Sequence, residues 1–206
     1  QYTDVNNKLY SDSSAFSGSQ SHKDKSFDAK FRIIKERAYF PQVAVGFTDF
    51  GGSSLFSSEF IVASKMIGNV DFTLGMGWGT MANGNVNNPL TKLASEFETR
   101  TRNRSGDTQG GEVNYATFFS GENAGLFGGM EIFLPHLNGT RLKIEYDSTN
   151  YGKDGEGYVA VPQDSEINYS FVFPITEGFQ LKLGYIRNNT LTFGFSLSGN
   201  YGKKAP

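Results

Sequence analysis

Residues 139–147, Gly-Thr-Arg-Leu-Lys-Ile-Glu-Tyr-Asp, alternate without a fault. Arg141, Lys143, Glu145 and Asp147 fall on one side of an extended strand, and Leu142, Ile144 and Tyr146 fall on the other. The same pattern returns 39 positions later: Pro135 through Gly139, followed by Leu142-Lys143-Ile144-x-Tyr146, becomes Pro174 through Gly178, followed by Leu181-Lys182-Leu183-x-Tyr185. That spacing holds two strands and their connections. Residues 24–34 set Phe27, Ala29, Phe31 and Ile33 against Asp28, Lys30 and Arg32. Residues 39–50 turn Val43, Val45 and Phe47 one way, with Pro41 at a strand-entry position. Residues 55–66 place Phe60 and Val62 opposite Glu59 and Lys65. Residues 70–78 set Val70, Phe72, Leu74, Met76 and Trp78 against Asp71, Thr73, Gly75 and Gly77. Segments 125–134, 166–173, 178–187 and 190–200, with a short strand at 1–6, bring the expected crossings to ten.

A soluble sandwich alternates too, so length, loops and aromatics must separate it from a membrane barrel. The strands run near ten residues, matching the roughly 9–11 that cross a bilayer at a tilt. Short connections at 35–38, 67–69, 135–139 and 174–178 fall at one end. Long ones at 8–23, 79–124 and 148–165 fall at the other, beside two short turns. Tyr39, Phe40, Phe50, Trp78, Tyr146, Phe173, Phe179 and Tyr185 gather near strand ends, as an interfacial girdle requires. The expected fold is all-β: an antiparallel up-and-down transmembrane β-barrel occupying residues 1–206 as one domain. Residues 79–124 form a long extracellular loop or plug-like insertion, with 113–119 a hairpin or plug element inside it. Lipid offers no hydrogen-bond partner to a backbone, so such a sheet is expected to close.

Composition fits this picture and removes others. Aromatic residues make up 15% of 206, with 19 Phe, 10 Tyr and 25 Gly, a mixture suited to many strands and tight turns. The absence of cysteine excludes a disulfide scaffold and a thiolate-bound metal. A net charge of -2 gives no electrostatic case for nucleic acid. No apolar run approaches the roughly 20 residues of a spanning helix. The sequence opens at Gln1, with neither an initiator Met nor a signal segment, and reads as a processed or truncated product.

Several blocks carry a family resemblance: 25–32 (Lys-Ser-Phe-Asp-Ala-Lys-Phe-Arg), 43–60 with its Asp-Phe-Gly-Gly and Leu-Phe-Ser-Ser-Glu runs, 62–65, 71–78 and 142–147. The chain resembles the YjbH/GfcD family of outer-membrane exopolysaccharide and capsule proteins from about Tyr2 to Tyr201. The resemblance implies a bacterial outer-membrane β-barrel serving polysaccharide secretion, with outer-membrane lipids, exopolysaccharide, and periplasmic and lipoprotein components of the machinery as partners. It also implies a longer protein carrying a second barrel.

The candidate lumen-lining polar residues are Asp28, Lys30, Arg32, Glu59, Lys65, Asp71, Glu131, Arg141, Lys143, Glu145 and Lys182. With both signs present, they either pair and fill a narrow interior or offer a polar surface to a sugar polymer. No catalytic residue, metal site or cofactor is expected. His22, in a Ser-rich loop, and His136, in a tight turn, are expected to be solvated. Ser57 and Ser58 before Glu59 are no nucleophile elbow, and Glu131 with Glu145 suits ion pairing better than glycoside cleavage. The cluster 100–104 (Arg-Thr-Arg-Asn-Arg) offers charge to an anionic sugar or lipid phosphate, or is simply solvated. Two rival functions stand beside non-catalytic export or anchoring: a lumen-catalytic outer-membrane lipid or glycan enzyme, and a soluble lipocalin-like binding barrel with its apolar face inward.

Overall fold

The computed structural model describes residues 2–11, 13–51, 55–82, 86–100, 113, 115–149, 151 and 161–199. Among the described residues twelve strands make up nearly all of the regular structure, and they pair antiparallel. Among the described residues no helix is long and apolar enough to cross a membrane. The chain divides into two compact units: Gln1–Ser64 with Leu74–Phe127 and Ser148–Pro162, and Lys65–Thr73 with Gly128–Asp147 and Gln163–Pro206.

In the first unit β1 (Tyr2–Leu9) pairs with β2 (Ser21–Lys25) as a separate two-stranded sheet. Between them, where a plain loop was expected over 8–23, lies a four-residue helical turn, Ser14–Ser17. The alternating run 24–34 is broken: β2 ends at Lys25 and β3 (Ala29–Ile34) starts anew, and Asp28 between them accepts a hydrogen bond from the Asp49 backbone at 3.0 Å. Lys23 and Ser21 both donate to Asp4 across the β1–β2 pair, which holds its carboxyl below the ordinary carboxylate range. A depressed folded value means this contribution exists above the unfolded pKa and fades as pH falls through the folded one.

β4 (Gln42–Thr48) pairs with β3 and with β5 (Ser58–Ile67), which turns at Gly68 into β6 (Val70–Gly79). Gly68 takes φ +61°, a left-handed conformation that the two-residue hairpin needs. The register places Lys30 opposite Gly46 and Gly46 opposite Phe60, so Phe60 and Val62 lie on the face of Lys30 and Arg32. Val43, Val45, Phe47 and Ile61 occupy the other face. This reverses the phase expected for 55–66. Phe60 lies over Gly46 and meets Phe127 edge to face at 6.1 Å, while Phe127 lies over Gly75. A Cβ at Gly75 would stand 2.2 Å from the Phe127 ring. Gly75→Ala is therefore expected to cost about 1–3 kcal/mol through overpacking. The double variant with Phe127→Ala should cost less than the two single changes added, in a denaturation double-mutant cycle.

In the second unit, the part of β8 (Asn123–Leu134) from Gly128 onward pairs with β9 (Thr140–Tyr146), which pairs with β10 (Ile167–Thr176), then β11 (Phe179–Ile186) and β12 (Thr190–Leu197). Ile132, Leu142, Phe171, Leu183 and Phe193 form one row across these five strands. Met130, Ile144, Tyr169, Tyr185 and Leu191 form the next. Both rows belong to one apolar face, and among the described residues much of it is exposed: Phe171 is 42%, Leu183 47% and Phe193 70% exposed.

Through hydrogen-bonded neighbours the order is β12-β11-β10-β9-β8-β6-β5-β4-β3, with β7 (Val86–Asn87) beside β8. The sheet therefore ends at β3 and at β12. The expected antiparallel all-β architecture is what folds, whereas closure of the ring is not present among the described residues. Nine strands form the main order rather than ten, since β1 pairs elsewhere. β5, β6 and β10 have ten residues and β8 twelve, but β3 has six and β4 seven.

Candidate functional site

Two polar constellations stand out, one in each unit. In the second unit, alternation puts Glu131 of β8, Arg141, Lys143 and Glu145 of β9, Asn168 and Ser170 of β10, and Gln180 and Lys182 of β11 on the face opposite the apolar rows. Glu131 sits between two cations, 2.9 Å from Arg141 and 3.0 Å from Lys143. The Arg141 guanidinium reaches past buried Val172 and donates to Gln180 at 2.8 Å. These groups are a fifth to two-fifths exposed, so each pair contributes about 0–1 kcal/mol. Their importance is chemical: a half-open surface of fixed donors and acceptors. Glu145 and Lys182, on the same face, are exposed.

In the first unit the polar residues divide. Lys30 and Arg32 share the face of Phe60, with the Lys30 ammonium 5.8 Å from that ring. Glu59 shares the face of Phe47, Val45 and Ile61 and is nevertheless only 1% exposed. Its burial comes from the stretches 88–100 and 115–121, which roof the ends of β4, β5 and β6 on this side. Arg100 forms a two-pronged pair with Glu59 at 2.8 and 2.9 Å, and also donates to the Thr117 carbonyl and the Ser57 hydroxyl. The Phe119 backbone, held at φ +58°, donates to the same carboxylate at 3.0 Å. Beside this pair the Trp78 indole donates to Asn88 at 2.9 Å, and Asn88 in turn donates to the Phe119 and Gly121 carbonyls. Phe119 packs at 5.1 Å from Trp78 and 5.8 Å from Phe47, and Phe118 at 5.0 Å from Phe47. A buried charge with all its lone pairs met is rigid; the same charge with one partner removed is costly.

A cleft of about 390 Å³ opens next to this knot, with Gly79, Glu98, Arg100, Gly121, Glu122 and Asn123 in its lining. Asp28 is held by the Asp49 backbone, and Asp71 and Lys65 are half-buried on β6 and at the far end of β5. Of the 100–104 cluster only Arg100 lies within the described residues. Arg100 is an ion-pair partner within the fold.

The residues weighed for catalysis do not assemble. His22, expected to be solvated, is 4% exposed, because alternation along β2 turns it inward opposite Val5 of β1. His136 is exposed in the turn Pro135–Leu137. Ser58 is buried against the Thr48 hydroxyl and Ser57 accepts from Arg100, so neither hydroxyl is paired with a histidine. No group of three or more His, Asp or Glu suited to a metal occurs among the described residues. Asn88, Trp78 and Phe119, which complete the buried knot, carry no spacing signal that marks them as partners of Glu59.

A family model described as "Exopolysaccharide biosynthesis protein YbjH", family YjbH, matches residues 1–206. Over 207 aligned residues the chain is 41% identical to the "Uncharacterized lipoprotein YjbH" of Escherichia coli (strain K12), covering 100% of this chain and 29% of that protein. The chain thus spans less than a third of that relative. No solved structure matches it significantly.

Proposed function

Starting from the premise that this chain belongs to the YjbH family of exopolysaccharide biosynthesis proteins, we propose that it forms wall strands of an outer-membrane β-barrel. The barrel serves exopolysaccharide export or anchors its machinery without catalysing a reaction. One observation carries the membrane part: among the described residues, the rows through Phe171 and Leu183 form a continuous apolar face with large exposed side chains, backed by an ion-paired polar face. A water-soluble protein rarely leaves such a patch open. Hydrocarbon is the solvent that suits it, with the polar face turned to the lumen. A spanning sheet cannot leave edges unpaired in lipid, so β3 and β12 require strand partners beyond those the described residues provide. The Escherichia coli relative is described as a lipoprotein, which agrees with an envelope location. The polar face around Arg141, Lys143 and Gln180 suits the hydroxyls and charges of a glycan.

The test is recovery of the full-length protein from detergent-solubilised outer membranes, with the bound glycan and proteins identified. Detergent-dependent recovery with polysaccharide or its secretion components is the expected result, and recovery from the periplasm without detergent would overturn the proposal. Absence of catalysis has its own check. His136→Ala and Ser57→Ala are expected to leave polymer export unchanged in a secretion assay, whereas loss of export at normal protein abundance would favour the enzymatic alternative.

A further inference from the structure

Within the first unit, the described stretches 88–100 and 115–121 pack on the face of the sheet that carries Val45 and Ile61. Their anchor is aromatic. Trp78 meets Phe119, Phe119 meets Phe47, Phe47 meets Phe118, and Phe118 meets Tyr115 edge to face at 5.7 Å. This chain of rings begins with a Trp78 that is 2% exposed and ends in a Tyr115 that is 74% exposed. On the same face of the same strands, just beyond Phe47 and Glu59, stand the uncovered Ile61 and, on β3, Phe31. The apolar wall and the outermost ring of the roof are therefore continuous surface. Glu59 and Asn88, each 1% exposed, lie buried between roof and wall, while Arg100 also lines the cleft beside them.

We propose that this roof is a collar on the outside of the wall, with Tyr115 seated in the headgroup region of the surrounding lipid. The idea rests on the membrane reading given above. A tyrosine suits that depth because its ring is apolar and its hydroxyl is wet. An ion pair on the outer face is tolerated there because the roof removes it from hydrocarbon, where an exposed carboxylate is not stable. The collar also sets the height of the lipid band on β4 and β5, which begins at Val45 and Ile61 instead of at the ends of the strands. The short β4 then needs to span less hydrocarbon than a strand such as β8.

Depth-dependent quenching tests this. A single cysteine is placed in this cysteine-free sequence, by Tyr115→Cys in one variant and by Phe193→Cys in another. Each is labelled with bimane in the full-length protein, with any cysteine outside residues 1–206 replaced by serine, in vesicles of phosphatidylcholine and phosphatidylglycerol bearing a nitroxide at the headgroup or at a mid-chain carbon. The expected result is headgroup quenching of the Tyr115 label and mid-chain quenching of the Phe193 label. A Phe193 label quenched by the chain nitroxide beside a Tyr115 label that neither nitroxide reaches would overturn the collar and leave the membrane wall standing. Loss of quenching at both positions would overturn both.

Discussion

Arginine in place of Ile144 is expected to keep the protein out of the membrane, while alanine in place of Lys143 leaves it inserted. The two residues are neighbours on β9 and take opposite faces. Ile144 lies between Met130 of β8 and Tyr169 of β10 in the middle of the apolar rows. A guanidinium there faces hydrocarbon and costs about 2–4 kcal/mol at mid-depth, enough to move an inserted population to a largely uninserted one. Lys143 stands 3.0 Å from Glu131, which keeps Arg141 at 2.9 Å as a second partner. Removing Lys143 therefore costs about 0–1 kcal/mol, the value of one partly exposed pair. Outer-membrane fractionation of the two variants, with protein level normalised, measures the difference. Equal insertion of both would mean that Ile144 does not face lipid.

The second large effect belongs to Glu59. Removing its carboxylate by Glu59→Ala strands the Arg100 guanidinium under the roof and leaves the Phe119 N–H without its acceptor. The expected loss is about 3–5 kcal/mol, typical of breaking a buried pair from one side. That energy holds the stretches 88–100 and 115–121 to β4, β5 and β6, so this roof should open before the sheet does. Trypsin cleavage after the exposed Lys92 reads the opening directly, with rapid cleavage expected in Glu59→Ala and slow cleavage in the parent. Arg100→Lys should open the roof as well, because an ammonium cannot make the two-pronged contact or reach Ser57 and Thr117 at once. Replacing both partners by apolar residues is expected to cost less than either single change. An unchanged cleavage rate in Glu59→Ala would show that the aromatic packing alone holds the roof.

The contrast between these two sites explains what alternation could reveal. At Arg141 through Tyr146 every second residue is charged, so strand, phase and face all follow from local spacing, and β9 has the faces expected of it. The run Phe60-Ile61-Val62-Ala63 is apolar on both sides and carries no phase. Its phase is set by the cross-strand pairing of Phe60 with Gly46, where the ring occupies the space a side chain would need. Glu59 follows the same misreading, and its partner Arg100 lies 41 residues away, beyond any periodic signal. Alternation likewise identifies β1 as a strand but says nothing of its partner, which proves to be β2. The edges at β3 and β12 have the same origin, because hydrogen-bond partners beyond a hairpin leave no trace in spacing.

The account depends most on what surrounds the apolar face of β11. Nitroxide labels placed one at a time from Gln180 to Gly184, in the protein reconstituted into bilayers, report this through collision with dissolved oxygen and with a polar nickel complex. Oxygen should reach Leu181 and Leu183 strongly and the nickel complex hardly at all, with the preference reversing at Gln180, Lys182 and Gly184. Labels at Leu181 and Leu183 shielded from both reagents would instead place that face inside an enclosed protein interior and contradict the membrane wall.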